Sequence, residues 1–407
     1  MFRIITLSLA LLAPIPPDEI PQSYVDLFDQ AEVGRSDASL KALRSAIERE
    51  RDEKINAAKR VEKQWKVELE TARRELAAKL SSDRRAQLHV EIAALERGIK
   101  EKAREREETI SSQYEARLAR VWLLEHWPDR RTEILRHIDA GRARERRHGD
   151  VEDIGYRALG KNPEKDIEVG EQAARQMLAG GRLPLELQDY GVQVYVRRLA
   201  GKIAANSDLK VPLHVTVLDS LQPRAVALPG GFLYITSGVL RTARSESELA
   251  GVLSREIARM AAQHATRASK RSLISRMFMP VAQIATGLFS GGINPGTYYG
   301  IGYGMQGLNG IMDHMLSGSD ESHQKEADQL GVQYAWKAGY DPRGFVGFLD
   351  ALSADAKTGL IGKEPALPER LMNLFSEIEY LRPLEHPVPQ SPEFDQARQR
   401  VITMSGS

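Results

Sequence analysis

Residues 245–264 read SESELAGVLSREIARMAAQH, and this stretch decides how the rest of the chain is interpreted. Ser245 is followed three residues later by Glu248, which is the pattern of a capping box at the start of a helix. In a capping box each of the two side chains accepts a hydrogen bond from a backbone N–H that the helix leaves without a partner. The stretch therefore predicts a helix that begins just after Ser245 and carries Arg255 and Glu256.

Two strands are predicted upstream of this helix. Residues 213–218 (LHVTVL) are rich in β-branched side chains, and residues 231–236 (GFLYIT) follow the turn-forming Pro229-Gly230-Gly231. Amphipathic patterns predict helices on both sides of the strands, at 167–178, at 192–205 and around Glu326-Ala327-Asp328. The predicted fold class is α+β and mostly α, with helices around one small sheet.

The first third of the chain has a different composition. Residues 39–120 contain almost no glycine or proline and are dominated by Ala, Leu, Glu, Lys and Arg, which is typical of long solvated helices or coiled coils. The segment Leu80-Ser81-Ser82-Asp83 interrupts the pattern, and Ser82 or Asp83 is the expected cap of a second helix. We therefore expect a helical hairpin with arms near 39–80 and 84–120. A single long helix with a polar patch is the alternative. Residues 121–162 are predicted to be a helical linker region, and 381–407 a C-terminal tail.

The N-terminus indicates export. One arginine, an apolar run from Ile4 to Leu12 and a proline-containing segment ending at Pro17 resemble a secretory signal over residues 1–17. The apolar run is shorter than the roughly 20 residues that span a bilayer. A frayed N-terminal helix is the alternative. The signal predicts that the protein acts in the periplasm or the cell envelope.

Composition excludes several classes of protein. The chain has no cysteine, which rules out disulfides, zinc ribbons and thiol nucleophiles. Its 57 Lys and Arg residues nearly balance 56 Asp and Glu residues, which argues against a dedicated nucleic-acid binder.

Several motifs appear in the order of one known family. The helix quoted above resembles the catalytic helix of the HtpX-like and CAAX-prenyl-protease zinc metallopeptidases, family forty-eight of the M series, including its periplasmic chaperone-protease branch. Other segments resemble that family's remaining motifs: 170–175, 227–236 (ALPGGFLYIT), 326–331 (EADQLG), 338–342 (AGYDP) and 365–371. The resemblance covers residues 163–380 and implies a gluzincin-like metallopeptidase domain there, leaving the N-terminal helices unexplained.

The departures from the family pattern concern the metal. The resemblance places the two zinc-binding histidines of HExxH at Arg255 and Arg259, and the third ligand, a glutamate, at Gln324. A guanidinium has five donors and no acceptor, so it cannot bind a cation, and a neutral amide is a poor zinc ligand. Glu256 keeps the general-base position. The sequence therefore predicts no zinc cofactor, and a vestigial base at Glu256.

An ion-pair cluster is predicted in place of the metal. Asp328 keeps the position that supports the ligands in the family, Glu364 replaces the family's active-site histidine, and Arg370 belongs to the closing motif. Arginines 255 and 259 are expected to pair directly with these acids and with Glu256. The alternative is a displaced metal site, which would use His264, His314 or His323.

Three functional hypotheses remain open. The first is a non-catalytic, polypeptide-binding or scaffolding protein of the cell envelope, in which an exposed edge strand accepts an extended peptide; its residues are Ala227, Leu228, Pro229, Gly230, Gly231, Phe232 and Tyr234. The 39–120 helices would then contact a partner or a second copy.

The second hypothesis is an active zinc metalloendopeptidase in envelope protein quality control, with an altered metal site. The third is a structural coiled-coil protein with a vestigial domain. The glycine-rich segment 287–310 is either a lid or a flexible or membrane-touching loop.

Overall fold

The computed structural model describes residues 20–21, 23–29, 37–79, 81–106, 111–159, 163–179, 183–262, 321–354 and 367–404. The predicted signal at 1–17, the segment 287–310, and residues His264, His314 and Glu364 lie outside the described residues. The chain divides into two compact units, with the first boundary after Pro128. That boundary falls inside the segment 121–162 that the sequence assigns to a linker. No helix among the described residues combines the length and the apolar character needed to cross a bilayer.

The first unit is helical. Its helices are α1 (Tyr24–Asp29), α2 (Asp37–Leu76), α3 (Ser82–Arg104) and the part of α4 (Ser111–Asp139) up to Pro128. Ile20, which precedes α1, and apolar side chains of α2 and α4 form a buried cluster of Ile20, Leu43, Ile47, Tyr114 and Val121. Trp127 is fully buried and stacks on Phe28, with 5.5 Å between ring centroids.

Helices α2 and α3 form a hairpin, but its second arm is shorter than predicted. The 40 residues of α2 extend over about 60 Å. Ser81, rather than Ser82 or Asp83, caps α3 by accepting a hydrogen bond from the Arg84 backbone N–H. The second arm ends at Arg104, and α4 begins at Ser111. The prediction extended the arm to residue 120 because the composition remains helix-forming through both helices.

The second unit contains the sheet. The strands are β1 (His214–Leu218), β2 (Ala225–Leu228) and β3 (Phe232–Thr236); the helices are α5 (Pro163–Ala179), α6 (Tyr190–Ala204), α7 (Ser237–Thr242), α8 (Glu246–Ala261), α9 (Glu321–Lys337), α10 (Gly344–Ala354), α11 (Leu367–Tyr380) and α12 (Pro392–Met404). Helix α5 packs against β2 and β3, while α6 packs against β1 and α8 against β2. The predicted fold class, mostly helical with a small sheet, is confirmed.

The strand order corrects one prediction. The sheet runs β1-β3-β2, with β3 parallel to β1 and antiparallel to β2. The segment 231–236 was expected to be an exposed edge strand, but β3 is the central strand and pairs on both sides. The prediction is wrong because β2 has only four residues, and the sequence pattern does not distinguish this strand from the motif that follows it.

The Pro229-Gly230-Gly231 turn is a packing contact and not an open platform. Gly230 and Gly231 are buried and adopt positive φ angles of 75° and 91°. A Cβ at Gly230 would lie 2.5 Å from Ile167 Cα, and one at Gly231 would lie 2.0 Å from the Pro212 carbonyl oxygen. Only glycine allows this turn to sit between α5 and the chain that leads into β1. The turn is therefore removed from the predicted peptide-binding surface.

The described part of the predicted C-terminal tail, residues 381–404, is not free. Helix α12 packs against α6 and α7, and buries Phe394, Ala397 and Val401. Arg400 Nη1 lies 3.2 Å from a carboxylate oxygen of Asp189, the residue that caps α6. The charged composition of the segment hides its apolar residues, whose spacing of three and four places them on one helical face.

Candidate functional site

Helix α8 lies at the centre of the second unit. Ser245 caps it by accepting a hydrogen bond from the Glu248 backbone N–H at 3.2 Å. Glu248 does not complete the predicted capping box, because its carboxylate accepts from the backbone N–H and the Nε of Arg244. Glycines bring the neighbouring helices close, since a Cβ at Gly251 would lie 2.4 Å from the Phe345 nitrogen. Nearly every residue of α8 is buried as a result.

A buried ion-pair cluster joins α8 to α9 and α11. Arg255 on α8 donates from Nε to Asp328 Oδ1 at 2.7 Å and from Nη1 to Glu256 Oε1 at 2.8 Å. Arg370 on α11 donates from Nε to Asp328 Oδ2 at 2.7 Å and from Nη2 to Asp328 Oδ1 at 3.0 Å. The Asp328 carboxylate is thus shared between two guanidinium groups, so its charge is compensated although its side chain is only 1% exposed.

Arg259 lies at the margin of the cluster. Its Nη1 is 3.8 Å from Glu256 Oε2, an oxygen that has no hydrogen-bond partner among the described residues. Burial lowers the pKa of Arg259, and the nearby Arg255 and Arg370 lower it further, against the attraction of Glu256. Burial alone would raise the pKa of Asp328, but the charges and hydrogen bonds of Arg370 and Arg255 hold it below its usual value.

An aromatic ring supports the two central arginines. The guanidinium carbons of Arg255 and Arg370 lie 5.6 Å and 5.2 Å from the ring centroid of Phe345, at the start of α10. Such cation–π contacts favour cations that are removed from water. Phe345 follows the AGYDP turn by three residues, but no pattern in the sequence marks it as part of the site. Gly331 was quoted only as part of a motif; a Cβ there would lie 2.8 Å from Arg255 Cα.

The structure brings together most of the predicted site residues. Arg255, Glu256, Arg259, Asp328 and Arg370 form one cluster. Gln324 is half-buried on α9, one helical turn before Asp328, and Glu364 lies outside the described residues.

The residues present do not fit a zinc ion. Arg255 and Arg259, which the resemblance places at the histidine positions, offer only donors. Both oxygens of Asp328 already accept hydrogen bonds from arginines, so neither is available as a ligand without breaking an ion pair. Within the described ranges, no three His, Asp or Glu side chains are grouped so that they could hold a metal. No chemistry through zinc is derived for this site.

Strand β2 forms one side of the sheet beside α8. It pairs with β3 and with no other strand in the described part of the chain. The Thr236 N–H donates to the Arg224 carbonyl, and bonded pairs alternate with non-bonded pairs in an antiparallel ladder. The backbone groups of Ala225 and Ala227 therefore point away from β3, towards the outer side of β2. Ala227 belongs to the predicted peptide-binding strand and is half-buried, whereas Ala225 was not predicted and is only 3% exposed.

Comparison with known proteins gives a consistent assignment. Peptidase family M48 matches residues 188–378. A beta-barrel assembly-enhancing protease of Yersinia pestis is 26% identical over 255 residues, which cover 60% of this chain and 50% of the relative. The protein of the same name from Escherichia coli (strain K12) is 24% identical over 60% of this chain and 49% of its own length. The mitochondrial metalloendopeptidase OMA1 of Schizosaccharomyces pombe is 28% identical over 42% of this chain and 46% of its own length. The chain spans about half the length of the relatives it matches.

Proposed function

We propose that the protein is a pseudoprotease of the cell envelope, which binds polypeptide without cleaving it. The match of residues 188–378 to peptidase family M48 supports the protease-like part of this proposal. One observation carries the proposal. Arg255, at a zinc-ligand position of the family, is buried in two ion pairs, with Glu256 and with Asp328. Glu256, at the general-base position, and Asp328, at the metal-supporting position, are therefore both paired with the same arginine.

The chemistry of a metallopeptidase requires an activated water, and Glu256 is poorly placed to supply one alone. A carboxylate acts as a base on a water whose pKa a metal has lowered. Glu256 is instead 2% exposed, and its Oε1 accepts from Arg255 at 2.8 Å. In the proposed pseudoprotease these groups hold the helices together.

The outer side of β2 supports polypeptide binding. An extended peptide that added to this strand would pair with the backbone of Ala225 and Ala227 by β-augmentation. Four residues form a short platform, so side-chain contacts beside it must contribute to affinity. The relatives named beta-barrel assembly-enhancing proteases favour an envelope protein as the polypeptide, and the signal-like residues 1–17 favour the periplasm.

Two measurements test the proposal against an active zinc peptidase. Purified protein should contain zinc far below one equivalent by elemental analysis, and it should not release fluorescence from quenched, dye-labelled casein. Stoichiometric zinc together with casein cleavage that a chelator abolishes would establish the peptidase instead.

Binding is tested separately, with a reduced and carboxymethylated, fluorescently labelled lactalbumin as the unfolded probe. Ala227→Pro removes an N–H that faces away from β3, so it should weaken binding at least tenfold and leave the sheet intact. Ala227→Ser is the matched control and should bind like the wild type. Equal affinity in all three proteins would remove β2 from the proposal.

We also propose that the α2–α3 hairpin contacts a second copy or an envelope partner. Two valines on its arms are unusually exposed for apolar side chains: Val67 at 61% and Val90 at 70%. Val67→Asp with Val90→Asp should lower the mass measured by light scattering if the hairpin joins two copies. An unchanged oligomer would restrict the hairpin to a different partner, to be sought by crosslinking from Val90→Cys in envelope fractions. If neither experiment detects a contact, the proposal for the hairpin fails.

A further inference from the structure

Residues 143–157, here called the strap, form a compact segment in the second unit. Two 3-10 turns lie within it, Ala143–Glu145 and Val151–Asp153. Asp150 and Asp153 form a reciprocal capping box, in which each side chain accepts from a backbone N–H of the strap. The strap therefore holds its own conformation, and its attachment to neighbouring helices is a separate question.

One end of the strap is fixed by Asp208. The carboxylate of Asp208 accepts from the Gly155 N–H at 2.6 Å and from Arg157 Nη1 at 3.0 Å. The Tyr334 hydroxyl on α9 donates to the same carboxylate at 2.8 Å. Arg157 also donates to the side-chain oxygen of Gln333. Every charged group at this end has a direct hydrogen-bond partner.

The other end of the strap meets a carboxyl that is less well compensated. Glu377 on α11 is 2% exposed and accepts from Gln333 Nε2 at 2.7 Å. Its nearest cation is Arg146 of the strap, at 3.6 Å. Arg146 directs closer hydrogen bonds to the Asp150 carboxylate and the Gly149 carbonyl, at 3.0 Å and 3.1 Å.

The groups around Glu377 set its protonation. The strap contributes Arg146, Asp150 and Arg157; α9 contributes the neutral Gln333, and α11 itself the neutral Tyr380, whose ring lies under Arg146 at 4.4 Å. Beyond Tyr380, α4 carries the oppositely charged Arg130 and Glu133, which pair with each other. Burial is the main influence and raises the pKa of Glu377 to about 7, against the attraction of Arg146.

We propose that the strap is a proton-dependent lock on helices α9 and α11, docked while Glu377 holds a proton and loosened when that carboxyl ionises. A neutral Glu377 keeps its hydrogen bond from Gln333 and needs no cation. An ionised Glu377 buries a charge that has no cation within hydrogen-bond distance among the described residues, because Arg146 lies 3.6 Å away and directs its Nη2 to Asp150 and Gly149 at closer range. Undocking exposes the carboxyl to water, which favours the ionised form.

The lock acts on the helices that carry the ion-pair cluster. Gln333 follows Asp328 by five residues on α9, and Glu377 follows Arg370 by seven residues on α11. The two helices are thus joined by two buried polar layers, one at Asp328–Arg370 and one at Gln333–Glu377. The inference does not require that the domain binds polypeptide.

The direction of the effect follows from linkage. The docked form binds the proton of Glu377 more tightly than the undocked form does, so docking is favoured at low pH and weakens as pH rises through about 7. If the undocked carboxyl has its ordinary pKa, the opening equilibrium of the strap should increase about tenfold between pH 6 and pH 8.5.

Hydrogen exchange of the full chain tests the lock. Exchange of peptides covering 143–157, corrected for intrinsic rates, should become about tenfold less protected between pH 6 and pH 8.5 in the wild type. Glu377→Gln mimics the protonated carboxyl and should abolish this change. Glu379→Gln is the matched control on the same helix; Glu379 pairs with Arg131 at 3.0 Å, and its removal should leave the pH response intact.

A second measurement needs no variant. With glutamate carboxyls labelled with ¹³C in the wild-type chain, one signal should titrate near pH 7, well above the others. Equal pH responses in wild type and Glu377→Gln would overturn the proposal, and so would protection that increases with pH. The absence of a carboxyl that titrates near neutral pH would also refute it.

Discussion

Replacing Arg255 with methionine should destabilise the second unit strongly. Methionine fills a similar volume but removes the cation that pairs with Glu256 and Asp328, whose side chains are 2% and 1% exposed. Asp328 keeps Arg370 at 2.7 Å, whereas the remaining cation near Glu256 is Arg259 at 3.8 Å. Stranding a buried charge costs about 3–5 kcal/mol, and most of this cost should arise at Glu256.

A second substitution tests whether the loss of stability arises at Glu256. Adding Glu256→Gln to Arg255→Met removes the stranded carboxylate and should recover about half of the lost stability, because a buried pair can be replaced by neutral groups with little loss. Together with Glu256→Gln alone, these variants form a double-mutant cycle, in which contacting residues are expected to be strongly non-additive. Arg175→Met is the control, since the exposed Arg175–Glu171 pair should contribute less than about 1 kcal/mol.

The assay is hydrogen exchange of α8 peptides, which reports opening of the second unit separately from the first. A loss of 3–5 kcal/mol corresponds to faster exchange by about two to three and a half orders of magnitude. The reasoning fails if Arg255→Met exchanges within tenfold of the wild type, or if Glu256→Gln makes the Arg255→Met protein less stable still.

Three further predictions concern the same helices. Gly331→Ala should destabilise the second unit by about 1–3 kcal/mol in urea unfolding, because its Cβ would lie 2.8 Å from Arg255 Cα, whereas Gly201→Ala on α6 meets nothing within 4 Å and should be neutral or stabilising. The pKa of Asp328 is lowered in the folded protein, so ionised Asp328 stabilises the fold above about pH 4, and this stabilisation is lost as the pH falls further. In acid unfolding followed by circular dichroism, the stability of Asp328→Asn should therefore decrease less steeply with falling pH than that of the wild type. Arg255→His, Arg259→His and Gln324→Glu together should bind one zinc by elemental analysis, whereas Gln324→Glu alone should bind none.

The sequence predicted those parts of the molecule that depend on local pattern or on charge. The fold class followed from helix and strand periodicity, whereas Asp328 was placed beside Arg255 and Arg259 by the resemblance to the metallopeptidase family. The strand order could not be read in this way: β2 has four residues, and which strand is central depends on pairing between segments that are distant in sequence. Phe345 was missed for the same reason, since only tertiary packing brings its ring beneath Arg255 and Arg370.

The cluster also explains why a zinc site would be hard to restore one residue at a time. Arg255→His alone strands Glu256 and weakens the compensation of Asp328, and Gln324→Glu alone adds a carboxylate beside acids that already share their cations. Each single change should therefore lower stability, whereas the triple variant replaces the arginines by a cation that its new ligands can hold. Zinc should then stabilise the triple variant by an amount that increases with its concentration, and have no effect on any single variant. If the single variants are as stable as the wild type without metal, the ion pairs are not what makes a stepwise change to a zinc site unfavourable.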